Sequence, residues 1–596
     1  MRMLRVVLLP AAQRHPSAHR EEVGCVRMRR PSAALACLLF LLSAGCRPAQ
    51  APAHSGDWDG FVDHFLDSYF AANPGFAVYQ GRHEFDGKLP DWSEAGLARE
   101  VASLRAARDS AMAWDTTGLD APRRLQRRYL VAVLDGQLFW RDEAKWPWKN
   151  PTWYADNLDP NVYIARPYAD PTVRARALTA WARAVPRAAE QIQANLHPPL
   201  PRSYVAIGRI RFGGLVGFLH NDAPKAFAEV KDSAVLASLD SALNGAADAM
   251  HRLDGWFASQ EKTAVDSFAM GPALFARMLH ATDRVDLPLE RLEAIGRADL
   301  ERNLAALKEA CAAFAPGQTL RACVGKADAL KPAGPIVDAA RLQLDSLSAY
   351  VRAKDLVTVP GTEKAEVHES PPYQRWNFAY IDPPGPYDKG LPSVYYVAPP
   401  DPSWSKQEQR DYLPGRANLE FTSVHEVWPG HFVQFLHSNR SGDKFGAVFV
   451  TYAFAEGWAH YAEEMMWEAG LGNGSPEVHI GQLQNALLRN ARYLSAIGMH
   501  TRGMTQAQSE RLFREDALQN VPTARQQAAR GTFDPEYLNY TLGKLMIRQL
   551  RTDWTATHGG RAGWKAFHDR FLSYGGPPVP LVREAMLGPS AGAALR

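Results

Sequence analysis

The stretch Val424-His425-Glu426-Val427-Trp428-Pro429-Gly430-His431-Phe432-Val433-Gln434 gathers more metal-binding and proton-handling side chains than any other part of the chain. Zinc is held by neutral imidazoles and carboxylates, and a hydrolase built on it needs one more carboxylate to take a proton from water. His425 and His431 supply two ligands and Glu426 supplies the base. The usual zinc helix reads His-Glu-x-x-His, with both rings on one face at i and i+4. Here the second histidine falls at i+6, and a regular helix would aim the two rings about 120° apart. Pro429 cannot donate to the carbonyl of His425 and its ring clashes there, so the helix is expected to be interrupted between the histidines. Gly430 supplies a backbone free to bulge. Residues 428–430 are therefore read as an inserted, widened turn that brings His431 back toward His425. The plainer reading is a helix, a Pro-Gly turn and two unrelated histidines.

A second stretch favours the metal. Glu456-Gly457-Trp458-Ala459-His460-Tyr461-Ala462-Glu463-Glu464 begins 25 residues after His431 and has the period of a buried helix with acids on one face. In zincins of the glutamate type the third ligand is a Glu on such a following helix, and Glu456 is the choice here. His460, one turn on, competes for that role, and Glu463 is a candidate partner to orient a ligand imidazole.

The run His425-Glu426-x-x-Pro429-Gly430-His431, followed by Glu456-Gly457-Trp458-Ala459-x-Tyr461-x-Glu463, resembles the bacterial domain-of-unknown-function family 885, grouped with the zincin metallopeptidases. Gly81-x-His83-x-x-Asp86 with Leu89-Pro90-Asp91 resembles its N-terminal signature, and Tyr540-x-x-Gly543 through Leu550-Arg551 to Phe567-His568 its C-terminal one. The match spans roughly residues 57–587. The resemblance implies a mostly α, large helical zincin-like fold with a small β-sheet beside a central active-site cleft, holding one zinc ion on His425, His431 and Glu456.

With 596 residues and 46% hydrophobic content the chain can bury a large core in more than one lobe. Lobes are expected at residues 57–360 (helical) and 361–596 (metal site). Ahead of them, Met28-Arg29-Arg30, an apolar run over 33–42 and Ser43-Ala44-Gly45-Cys46 read as a signal segment of lipoprotein type, 1–46, with Met28 the more natural start. The apolar run is too short to span a bilayer. Cys46 would carry the lipid, residues 47–56 would be a linker, and the protein would be exported, periplasmic or anchored, in a Gram-negative-type bacterium. The net charge of +3 includes seven Arg and two Glu in residues 1–45, which leaves −2 from Cys46 onward. Such a chain has no basic field to draw nucleic acid. Cys311 and Cys323 remain as a pair twelve apart, expected to close a disulfide around Pro316-Gly317.

Helices are expected over 57–70, twice within 94–142, and over 177–309 with breaks at Pro186, 198–201 and Gly213-Gly214. Residues 145–171, crowded with Trp, Tyr and Pro, are too proline-rich for a helix, and form a structural clasp or a loop at the cleft mouth. Residues 375–381 and Val394-Tyr395-Tyr396-Val397 read as strands. The second is the candidate edge strand that would pair with an extended peptide beside the metal, or else it only caps the core.

A long helix over 483–500 carries Arg489, Arg492 and His500. His500 or Tyr540 would donate to the oxyanion formed when an amide is attacked, although either residue could equally be a satisfied core group. Glu426 would pass a proton from water to the leaving amine. Short peptides are the expected substrates. The alternatives are a zinc amidase or esterase for small molecules, and a lipid-anchored binding protein with the same fold and no turnover.

Overall fold

The computed structural model describes residues 56–595 except residue 376; the signal segment, Cys46 and most of the linker lie outside them. The described chain is mostly helical with one small sheet. Helices start where their caps allow: Ser93 accepts from the N–H of Gly96, and Asp120 accepts from that of Arg123. Residues 145–171 form short helical turns such as Trp146–Trp148 and Asn161–Ala165. Pro186 does not end its helix, which runs unbroken over Pro171–Asn195. Buried Ala182, Val185 and Ala189 on both sides of it pack in the core, and that packing outweighs one lost backbone bond. Cys311 and Cys323 form the disulfide, joining the helices Leu289–Phe314 and Leu320–Ala329.

The sheet holds β1 (Ala365–Glu369), β2 (Ala379–Asp382) and β3 (Ser393–Val397) in the order β1-β3-β2, with β1 parallel and β2 antiparallel to β3. Val394-Tyr395-Tyr396-Val397 therefore lies in the central strand, buried along its length and paired on both sides. It cannot be the expected edge strand; β2 is an edge, and Ala379 at its start lines a cavity with His425 and Glu426. β1 escapes sequence reading because Val367 is its one buried side chain.

The expected division at residue 360 does not separate two cores. The largest apolar cluster runs from Phe139 to Leu595, so the helices over 272–354 share a core with residues 361–595. Among the described residues no helix is long and apolar enough to cross a membrane.

Close helix contacts set the site's frame. A Cβ on Gly457 would stand 2.5 Å from the Cα of Gly543, so the helices Tyr452–Glu468 and Asn539–Thr555 touch backbone to backbone. A Cβ on Gly481 would stand 2.5 Å from the backbone carbon of Ala417, which seats the helix Pro476–Thr501 against Arg416–Glu426.

Candidate metal centre

The first ligand helix stops at Glu426, and a new one, His431–Ser438, begins at the second histidine. Between them the Gly430 N–H reaches back to the Val424 carbonyl at 3.0 Å, spanning six residues where a helix spans four. The Trp428–Pro429 peptide is cis. Only glycine fits at 430, because a Cβ there would lie 1.7 Å from the His425 carbonyl oxygen. The turn is held from the next helix, where the Trp458 indole N–H donates to the carbonyls of Pro429 and Gly430 at 2.9 and 3.3 Å.

This break brings the rings together, with their centroids 4.8 Å apart and nearly perpendicular. One carboxylate oxygen of Glu456, Oε2, stands 3.1 Å from His425 Nε2 and 3.2 Å from His431 Nε2. One donor atom from each of the three lies within 4.8 Å of the others. Ligands at about 2 Å in a tetrahedral site stand about 3.3 Å apart, which the two separations to Glu456 match, and two imidazoles with a carboxylate are a donor set that suits a divalent metal ion. On the far side of its ring, His425 Nδ1–H donates to Glu463 Oε1 at 2.7 Å, leaving the Nε2 lone pair for the cluster. Arg489 backs that carboxylate at 3.2 Å. Among the described residues His431 has no matching partner, for its Nδ1 is buried without a hydrogen bond. His460 does not join the cluster; it is fully buried, with Glu463 at 3.5 Å.

The electrostatics follow from this crowding. Burial opposes protonation of His425, but the hydrogen bonds it donates to Glu456 and Glu463 outweigh it and raise its pKa to about 9. Glu456 is held well below the usual carboxylate range by the two imidazoles, against the effect of burial. Burial pushes Glu426 up, and Glu426 shares a cavity wall with His425, Arg489, Arg492 and Tyr540.

Tyr540 stands at the site, its ring 5.9 Å from that of His425 and its hydroxyl accepting from Arg530 at 3.4 Å. His500 does not. It lies eleven residues past Arg489 on the same helix, about 16 Å along the axis. There its Nε2–H donates to the Gly531 carbonyl at 2.7 Å and its ring packs between Phe268 and Phe275. Burial lowers its pKa to about 4, as befits a neutral core histidine. Sequence reasoning missed Arg530 and Tyr452 around Tyr540, since neither sits in a motif. It left the role of 145–171 open, and Trp146, Thr152 and Trp153 wall a cavity of about 650 Å³ shared with Phe435 and Tyr452.

No curated protein sequence matches the chain. Among solved structures it is similar to a candidate lipoprotein of unknown function from Shewanella oneidensis, at 24% identity and TM-score 0.72, over 89% of this chain and 100% of that one. It is also similar to a candidate lipoprotein from Colwellia psychrerythraea, at 15% identity and TM-score 0.73, over 88% and 97%. At these identities the likeness speaks for the fold alone. The profile described as "Bacterial protein of unknown function (DUF885)" matches residues 74–586, and the chain belongs to that family.

Proposed function

We propose that this protein is an exported zinc-dependent hydrolase, of zincin-like ancestry, that cleaves amide bonds in short peptides. The observation that carries the reading is the convergence of His425, His431 and Glu456 donor atoms beside the carboxylate of Glu426. Zinc on those three side chains would polarise a carbonyl and make water reactive at neutral pH.

The chain's own residues supply the rest. Glu463 and Arg489 hold the His425 ring with its Nε2 inward. Glu426, buried and raised in pKa, accepts a proton from water and delivers it to the leaving nitrogen. In the balance, the hydroxyl of water bonds to the carbonyl carbon, the C–N bond breaks, and the proton ends on the amine. Of the two candidates, His500 and Tyr540, it is Tyr540 that donates to the oxygen that gains charge. Peptides are preferred to small amides and esters because the cavity that holds His425 and Glu426 is long enough to be walled by more than twenty residues, from Asp328 to Tyr540.

Export, with lipid on Cys46, is supported by the Ser43-Ala44-Gly45-Cys46 run and by the candidate lipoproteins that share the fold. The test is elemental analysis of purified protein, paired with a quenched-peptide library assayed with and without chelator. One zinc per chain and chelator-sensitive cleavage are expected; protein without metal and without turnover overturns the reading.

A further inference from the structure

The two cavities differ in a way that bears on how a substrate lies. Beyond Phe435 and Tyr452 is the larger one, about 650 Å³, walled by Trp140, Trp146, Trp153 and Phe449. On the side of His425 and Glu426 is a narrow one of about 130 Å³, walled by Phe378, Arg489, Arg492 and Tyr540. The small cavity has about a fifth of the volume of the larger one.

Three arginines surround the Tyr540 ring, with Arg492 at 4.5 Å, Arg530 at 5.8 Å and Arg489 at 5.9 Å from its centroid. Arg489 pairs with Glu463 at 3.2 Å and Arg530 with Asp534 at 2.8 Å. Arg492 differs. It is 5% exposed, its Nε–H donates to the neutral Gln527 at 2.8 Å, and among the described residues no carboxylate pairs with it. A guanidinium cannot shed its proton, and a buried charge without a counter-charge is costly. The arrangement calls for an anion from outside, at a wall shared with Glu426.

We propose that Arg492 binds the free C-terminal carboxylate of a peptide, so that the C-terminal residue occupies the narrow cavity beside Glu426 and is released. This rests on the hydrolase reading above. The placement agrees, for the Tyr540 ring lies between the two groups' reach, 4.5 Å from the Arg492 guanidinium and 5.9 Å from the His425 ring.

The experiment compares a dansyl-tripeptide ending in a free carboxylate with its carboxamide, using zinc-loaded protein. Wild type is expected to prefer the acid by about ten- to hundredfold in kcat/KM, mainly through KM, as for the loss of a charge-assisted hydrogen bond. Arg492→Gln should erase the preference, and Arg492→Lys should keep part of it, which separates a lost anchor from a lost fold. Equal cleavage of acid and amide by wild type, or an Arg492→Gln variant that still prefers the acid, overturns the anchor. If neither peptide is cleaved, the hydrolase reading fails by itself, and fluorescence binding of the same two peptides decides the anchor. Tighter binding of the acid that vanishes in Arg492→Gln supports it, and equal binding overturns it.

Discussion

Two buried charge clusters share the helix Tyr452–Glu468 and are built on different principles. In one, Glu464 and Asp299 meet three cations. Lys544 lies 2.7 Å from Asp299 and 3.5 Å from Glu464, Arg302 bridges both acids at 2.8 and 3.0 Å, and Arg548 reaches Glu464 at 3.2 Å. Asn490 fills a further position on Asp299 at 2.8 Å. In the other cluster, Glu426, Glu456 and Glu463 crowd two imidazoles, and Arg489 is the one arginine pairing with these acids among the described residues. The first is neutralised by the protein and points inward on itself. The second leaves donor atoms converging where the chain places no cation, which is how a ligand site differs from a structural ion network.

Breaking this contrast most severely is Glu426→Gln, which removes a proton acceptor and leaves the ligands in place. Peptide hydrolysis should fall by about 10²–10⁴-fold while zinc content by elemental analysis stays at one per chain; retained turnover would take Glu426 out of the chemistry. Next is Lys544→Met, which takes from two buried acids the one fully buried cation of the three that meet them. Urea unfolding should show a loss of about 3–5 kcal/mol, with metal content unchanged if the clusters are independent.

Acidity separates the clusters further. Hydrogen bonds to Glu456 and Glu463 outweigh burial and raise His425 to about 9 in the metal-free protein, above the ordinary 6.5. Its contribution is thus complete below pH 6.5 and is lost as pH rises through 9. Glu464 is lowered to about 2 by Lys544, Arg548 and Arg302 despite its burial. That contribution is present above pH 4.5 and is lost as pH falls through 2. Unfolding of metal-free wild type should therefore weaken from pH 6.5 to 9, and Glu456→Gln should flatten that limb. Lys544→Met should flatten the acid limb instead. A Glu456→Gln variant with an unaltered alkaline limb would refute the assignment.

The smallest effect is expected at His500, outside both clusters. His500→Gln should leave peptide turnover within about twofold and cost about 1 kcal/mol in unfolding, the worth of one hydrogen bond to Gly531. A drop of a hundredfold in kcat would return His500 to the site.

Much of the centre was legible before any coordinates because its chemistry is local. Pro429 forbids a regular helix between the histidines, Gly430 permits an approach no other residue survives, and Glu456 and Glu463 sit two turns apart on one face. The disulfide followed from two cysteines left as a pair. Spacing misled where depth mattered. His500 shares a helix with Arg489 and Arg492, but sequence cannot say that the helix has left the cavity by then. The central place of Val394-Tyr395-Tyr396-Val397 needed β1, whose charged sequence hides a strand.

The sequence by itself determined which atoms can bind a metal and that the chain must break between two of them, because proline and glycine act through the backbone within one turn. Only the tertiary structure decided that Trp458 clamps the break, that Tyr540 and not His500 faces His425, and that Arg492 stands without an acid among the described residues. Those facts depend on the Gly457–Gly543 and Gly481–Ala417 contacts, which join helices far apart in the chain.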